Sequence, residues 1–162
     1  MEDVKNSTCC FVGHRTINET KELKNHLYNE IEALITEKNV YIFLFGSRSE
    51  FNTLCYETVS KLKKKYPYIK RIYVRAEYPY IRDSYKKYLL QKYEDTYFPE
   101  EILNAGKLRY IKRNAEMIDK SSFGIFYYDK NYLPEKTNSG TKIAYNYALK
   151  NEMTIINMFF NP

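Results

Sequence analysis

Tryptophan is absent from this 162-residue chain, and cysteine (3) and histidine (2) are scarce. Cys9 and Cys10 are adjacent in an apolar run, and Cys55 falls in a helical stretch. They form no C-x-x-C and no Cys/His ligand spacing, which argues against a zinc site or any other metal. The odd cysteine count, with no secretory leader, fits a reducing cytoplasm. No apolar run approaches the ~18 residues of a membrane span. Neither G-x-x-x-x-G-K-[ST] nor a complete G-x-G-x-x-G occurs, so an ATP-hydrolysing P-loop and a standard dinucleotide fold are both unsupported. No cofactor is implied. Repeats, low-complexity tracts and linkers are also lacking, and the length suits one domain spanning 1–162.

What is present is a packed chain with a positive balance. Hydrophobic residues make up 44%, enough for a core without a metal or disulfide to hold it. The 18 tyrosines and 9 phenylalanines suit a pocket, or equally strands and rims. A net charge of +6 favours anionic partners. Much of that charge lies in KLKKK at 61–65 and on helix faces that solvent covers.

Hydrophobic period sorts the chain into alternating elements. Continuous apolar runs at 8–12 and 40–45, each closed by a glycine, read as buried strands. Shorter strands follow at 71–74, 123–128 and 154–158. Helical spacing appears at 19–38, 52–66, 107–120 and 141–150. Residues 76–107 read as an irregular insert, with a helical piece at 84–93. Strands alternating with helices predict an α/β fold: a Rossmann-like parallel sheet of about five strands with helices on both faces.

Ligands of such sheets bind beyond the carboxyl ends of the strands. Three strands lead into suggestive loops: Gly13-His14-Arg15, Gly46-Ser47-Arg48-Ser49 and Asn138-Ser139-Gly140-Thr141. Glycine or a small hydroxyl residue at a helix start offers N–H groups to an anion, or simply caps the helix. Arg15 and Arg48 add guanidinium forks that suit phosphate; Arg48 either enters the pocket or blocks it. His14 reads as a bonded loop histidine or a site residue. Asp129 holds either a ribose hydroxyl or a loop amide. Glu77, Tyr78 and Tyr80 follow the third strand, and either tyrosine ring could stack on a base. Arg113, beside Asn114, lies off the apolar face of its helix.

These stretches resemble the SLOG superfamily, the SMF/DprA and LOG group of Rossmann-like proteins, and within it the small YpsA-like members. The resemblance rests on GHR at 13–15, GSRSEFNTLC at 46–55, RNAEMIDKSSFGIFYYD at 113–129 and SGTKIAYNYALK at 139–150. It implies phosphate-binding roles for Gly13, His14, Arg15, Gly46, Ser47, Arg48, Arg113, Asn114, Asp129, Ser139, Gly140 and Thr141. Departures are visible: Ser47, Glu50 and Asn52 replace two glycines and the aspartate of the usual GGAxGFDxLA. The LOG enzymes cleave the N-glycosidic bond of nucleoside monophosphates and carry PGGxGTxxE. Aligning Gly140-Thr141 with that motif puts Ala144 at the catalytic glutamate, and alanine moves no proton. Glu57 and Glu116 are the carboxylates left to substitute in space.

The resulting expectation is a binder, sensing or sequestering a nucleotide-derived small molecule such as AMP, ADP-ribose or a cyclic NAD-derived signal, with no catalytic residue assigned. A homo-oligomer is allowed and a membrane partner is not. The rivals are a LOG-like phosphoribohydrolase and a DprA-like nucleic-acid binder. The latter ranks lower, because no basic-aromatic stripe is evident in the sequence.

Overall fold

The computed structural model describes residues 4–132 and 140–159. Six parallel strands form one sheet: β1 (Thr8–Gly13), β2 (Ile42–Phe45), β3 (Lys70–Val74), β4 (Asp95–Tyr97), β5 (Phe123–Tyr127) and β6 (Thr154–Asn157), in the order β4-β3-β2-β1-β5-β6. The helices are α1 (Lys21–Glu37), α2 (Glu50–Lys65), α3 (Asp83–Lys92), α4 (Arg109–Asp119) and α5 (Gly140–Lys150). This is the Rossmann-like α/β architecture that the alternating pattern predicts. The sheet has one strand more than expected. β4 lies inside the segment read as an irregular insert, and its three residues bury only Thr96, too little alternation to leave a readable period.

The strand runs are continuously apolar because both faces are covered. Cys9, Phe11, Phe43, Phe45, Ile125 and Tyr127 pack with α1 and α2 on one face. Cys10, Val12, Leu44 and Phe126 pack with Met117 and Ile118 of α4 and Ala144 and Ala148 of α5 on the other. Thr20 caps α1 by accepting the Leu23 N–H at 3.1 Å, and Ser49 caps α2 through the Asn52 N–H at 3.1 Å. Each cap satisfies an orphan donor of the first turn.

Tyrosine supplies the sheet's far edge. Tyr93 stacks on Tyr73 at 5.3 Å between centroids and meets Tyr56 at 5.0 Å, while the Tyr56 hydroxyl donates to Lys92 O at 2.7 Å. Glu94 then receives the Arg71 fork at 3.0 and 2.8 Å. These contacts fix α3 and β4 against the strands. Among the described residues, no helix is long and apolar enough to cross a membrane.

β1 and β5 are neighbours, yet the chain leaves them toward opposite faces, to α1 and to α5. That divergence opens a crevice at their carboxyl ends. Gly13 sits at its floor because the Phe51 ring occupies the place of a side chain. A Cβ there would stand 2.3 Å from Phe51 Cδ2, and Phe51 is fully buried. Gly13→Ala is therefore expected to cost about 1–3 kcal/mol and to lower Tm by roughly 3–10 °C in a circular-dichroism melt. Combining it with Phe51→Leu should cost less than the sum of the two, because the smaller side chain frees that space. Strict additivity would sink this account.

Candidate functional site

The loop after β1 is held by histidine. The His14 N–H donates to Tyr127 O at 3.3 Å, and its Nε2 accepts the Asp129 backbone N–H at 2.8 Å. An accepting Nε2 carries no proton, so the ring is neutral with its hydrogen on Nδ1. The ring is fully buried and stacks on Tyr132 at 3.9 Å. His14 thus ties the β1 loop to the β5 loop. Asp129 folds its own turn, its Oδ1 accepting the Asn131 N–H at 2.9 Å. Of the two readings left open for Asp129, the structure displays the loop amide. Arg15 is exposed, and its carbonyl accepts the Glu50 N–H at 2.9 Å.

The loop after β2 is braced from within. Asn52, 3% exposed, accepts the Gly46 N–H with Oδ1 and donates Nδ2 to Phe11 O, both at 3.3 Å. Ser47 and Ser49 hydroxyls lie 2.9 Å apart. With Glu50 N–H given to Arg15 O and Asn52 N–H to Ser49 Oγ, two of the first three donors of α2 are already used. Sequence reasoning treated Asn52 only as a departure from a motif. Its two-sided amide is what joins the β2 loop to β1, and an aspartate could not donate to Phe11 O.

Arg113 requires a correction. It was expected off the apolar face of its helix, but it is buried at 4% exposure. It shares a face with Met117, one turn on, and this face meets the strand ends. Nη1 donates to Gly46 O and, at 3.5 Å, to Val74 O; Nε donates to Asn114 Oδ1 at 3.0 Å. The Tyr110 ring lies 5.8 Å from the guanidinium. Among the described residues no carboxylate pairs with it. Burial pulls its pKa below the usual arginine value, partly offset by Tyr73 and Glu77. Gly46 makes room for it, since a Cβ there would stand 2.8 Å from Arg113 Cδ and Nε.

Other candidates gather around this group in part. Arg48 meets Glu77 at 3.3 Å beyond the two loop roots that Arg113 touches. Arg75 folds the 75–80 loop by donating to Tyr78 O, Pro79 O and Thr96 Oγ1. Tyr78 and Tyr80 are 59% and 89% exposed, on the rim and not over Arg113. Gly140 opens α5, where a Cβ would meet no described atom within 4 Å, and Thr141 is buried. Met117 and Ala144 share one core cluster. Arg113 lies one turn before Met117, and Thr141 about one turn before Ala144, so both reach the same sheet edge on the same face. Ser139 and Asn138 lie outside the described residues.

Neither substitute carboxylate stands beside Arg113: Glu116 pairs with Lys120 at 2.9 Å, and Glu57 is exposed on α2. A separate groove of about 400 Å³ on the α1 side is lined by Asn18, Leu23, His26, Tyr127 and Phe159 among others, with no lysine or arginine. With the Glu22 carboxylate in its lining, it is poorly suited to a phosphate. Among the described residues no group of three or more histidine, cysteine or acidic side chains is placed to hold a metal.

No protein-family model and no curated protein matches the chain. A solved structure does: DNA processing protein A from Helicobacter pylori, described for its single-stranded DNA binding mode. It is 15% identical with a TM-score of 0.58, covering 93% of this chain and 64% of that protein. The likeness is one of fold. That protein is a member of the SLOG family that the loop motifs resemble.

Asn52→Ala removes both halves of the bracket. It is expected to destabilise by roughly 1–3 kcal/mol for each buried group left unpaired, read as a fall in the urea midpoint with an unchanged m-value. An unaltered midpoint would show that the bracket is dispensable.

Proposed function

We propose that this chain, acting as one domain of YpsA-like type, binds the phosphate of a nucleotide-derived small molecule at Arg113. One observation carries the reading. A guanidinium buried to 4% exposure has carbonyls, an amide oxygen and a ring around it, and no carboxylate among the described residues. Burying an unpaired charge is costly, and a charge kept buried without a protein counter-ion is suited to a ligand's anion. Arg48 and the first turn of α5 at Gly140 and Thr141 supply the remaining positive field. The reading is of binding and not hydrolysis, because Ala144 occupies a packed core position where LOG enzymes have their glutamate.

The test is a thermal-shift panel of AMP, ADP-ribose, NAD, cyclic ADP-ribose and cyclic dinucleotides. A ligand at about one hundred times its Kd adds roughly 2.7 kcal/mol, on the order of 5–10 °C for a domain of this size. Arg113→Met should abolish the shift. Its own melt should stay within about 1 kcal/mol of the parent, because removing a buried charge offsets the two lost carbonyl bonds. A full shift retained by Arg113→Met would place the ligand elsewhere.

A second reading, single-stranded nucleic acid, is favoured by α3. Tyr85 and Tyr88 stack at 6.2 Å, Lys92 lies 4.9 Å over Tyr88, and Arg82, Lys86 and Lys87 are exposed beside them. Rings interleaved with cations suit stacked bases and phosphates. The structurally similar DNA processing protein A is described for its single-stranded DNA binding mode. If this reading holds, Tyr88→Ala weakens oligonucleotide binding about tenfold, and affinity falls steeply with salt. A flat salt response would remove it.

A further inference from the structure

The groove of about 400 Å³ on the α1 side of the sheet lies where β5 and β6 end. Tyr127, the last residue of β5, and Met158, just after β6, line it together with Leu23 of α1, and all three are buried. The half-buried Phe159 ring meets Tyr127 edge-on at 5.5 Å between centroids. These residues belong to the cluster that packs with α1 and α2. Met117, one turn from Arg113, belongs to the cluster on the opposite face. The groove is therefore separate from the Arg113 crevice. Most of its polar groups are already used. Asn157 Oδ1 accepts the Tyr128 and Phe159 N–H groups at 3.0 and 3.2 Å, and its Nδ2 donates to Tyr128 O at 3.0 Å. The Tyr127 hydroxyl accepts the Asn18 N–H at 3.3 Å, and the Thr20 hydroxyl caps α1. His26 meets Glu30 at 3.2 Å, and the nearby Lys24 meets Glu19 at 3.2 Å. Glu22 differs: among the described residues no ion pair or hydrogen bond engages its carboxylate. Its charge complements the positive start of α1, but that effect occupies neither oxygen.

We propose that this groove is a second ligand site, taking a small organic cation: a protonated primary amine carried on an aromatic body. The inference does not depend on the phosphate reading of Arg113. Leu23, Tyr127, Met158 and Phe159 supply an apolar, polarisable floor for the body. Aromatic rings also favour a cation beside them. Glu22 supplies the acceptor for the ammonium, and a hydrogen bond between two ionised groups is about twice as strong as a neutral one. No lysine or arginine lines the groove to repel the ligand, and the His26 ring is engaged by Glu30. The volume lies within the range of small-molecule sites. An anion of the same shape would meet the Glu22 carboxylate with like charge, so the groove selects by sign of charge as well as by shape.

Phenethylammonium, phenethyl alcohol and phenylpropionate share one body and differ in charge, and titrating each into the full chain under two-dimensional NMR tests this. Phenethylammonium is expected to shift the amides of residues 18–26 and 157–159, which line the groove. It should bind at least about tenfold more tightly than the alcohol, with phenylpropionate the weakest. Added salt should weaken the ammonium and leave the alcohol unchanged. Glu22→Gln keeps the side chain's shape and should erase the advantage of the ammonium over the alcohol, lowering its affinity about tenfold. Arg113→Met, on the opposite face, should bind it as the parent does. The inference is overturned if the alcohol binds as tightly as the ammonium, if Glu22→Gln keeps the parent affinity, or if the shifted amides lie away from the groove. Absence of any binding by phenethylammonium overturns it equally and leaves the reading of Arg113 untouched.

Discussion

The contact between the Arg113 guanidinium and the carbonyl ends of β2 and β3 organises the functional edge of this sheet. A parallel sheet leaves carbonyl groups at the carboxyl ends of its strands with no partner in the next turn of chain. Here one side chain satisfies two of them, Gly46 O and Val74 O. The guanidinium is planar and keeps its charge even when burial lowers its pKa. It can therefore serve as a structural donor to the strands and still present positive charge at the crevice. A lysine would carry the charge, but it lacks the fixed fork that lets one group bond Asn114, Gly46 and Val74 together.

Close approach is the second constraint, and it explains where the glycines stand. Gly13 gives its side-chain volume to Phe51, and Gly46 gives its volume to Arg113 and Met117. Gly13 ends β1 and Gly46 directly follows β2; both belong to loops read as phosphate cradles, and packing alone accounts for each. The same holds for much of the surrounding polarity. Ser49 caps α2, Ser47 bonds Ser49, Asn52 joins two strands' loops, and His14 and Asp129 bond each other across the crevice. In the loops after β1 and β2 these polar groups find their partners within the protein. Arg113, by contrast, is buried and has no carboxylate within ion-pair distance among the described residues.

The fold was legible in the sequence because both sheet faces are buried, so that strands 8–12 and 40–45 read as unbroken apolar runs. The edge was not. β4 contributes a single buried residue, Thr96, and is fixed by Arg71–Glu94 and by stacked tyrosines far apart in the chain. At the site, the motif strings pointed to the loops after β1 and β2, which the structure brings to one end of the sheet, but not to the division of labour within them. Arg113 read as lying off the apolar face of its helix, since a charged position on an amphipathic helix ordinarily faces water. Its burial depends on carbonyls contributed 67 and 39 residues away. Asn52 was invisible for the same reason: its two bonds matter because Phe11 lies 41 residues upstream.

The tyrosine-rich edge follows from how little α3 buries. Only Leu89 of its ten residues is enclosed, far too little apolar area to hold a helix in place. Ring stacking among Tyr56, Tyr73 and Tyr93 and the Tyr56 hydroxyl on Lys92 O make up the difference. An element anchored at its end by rings and a hydrogen bond, and not along its face by a core, belongs to the low end of the local stability range. Its outward face, with Tyr88 and the lysines, is free of packing duties.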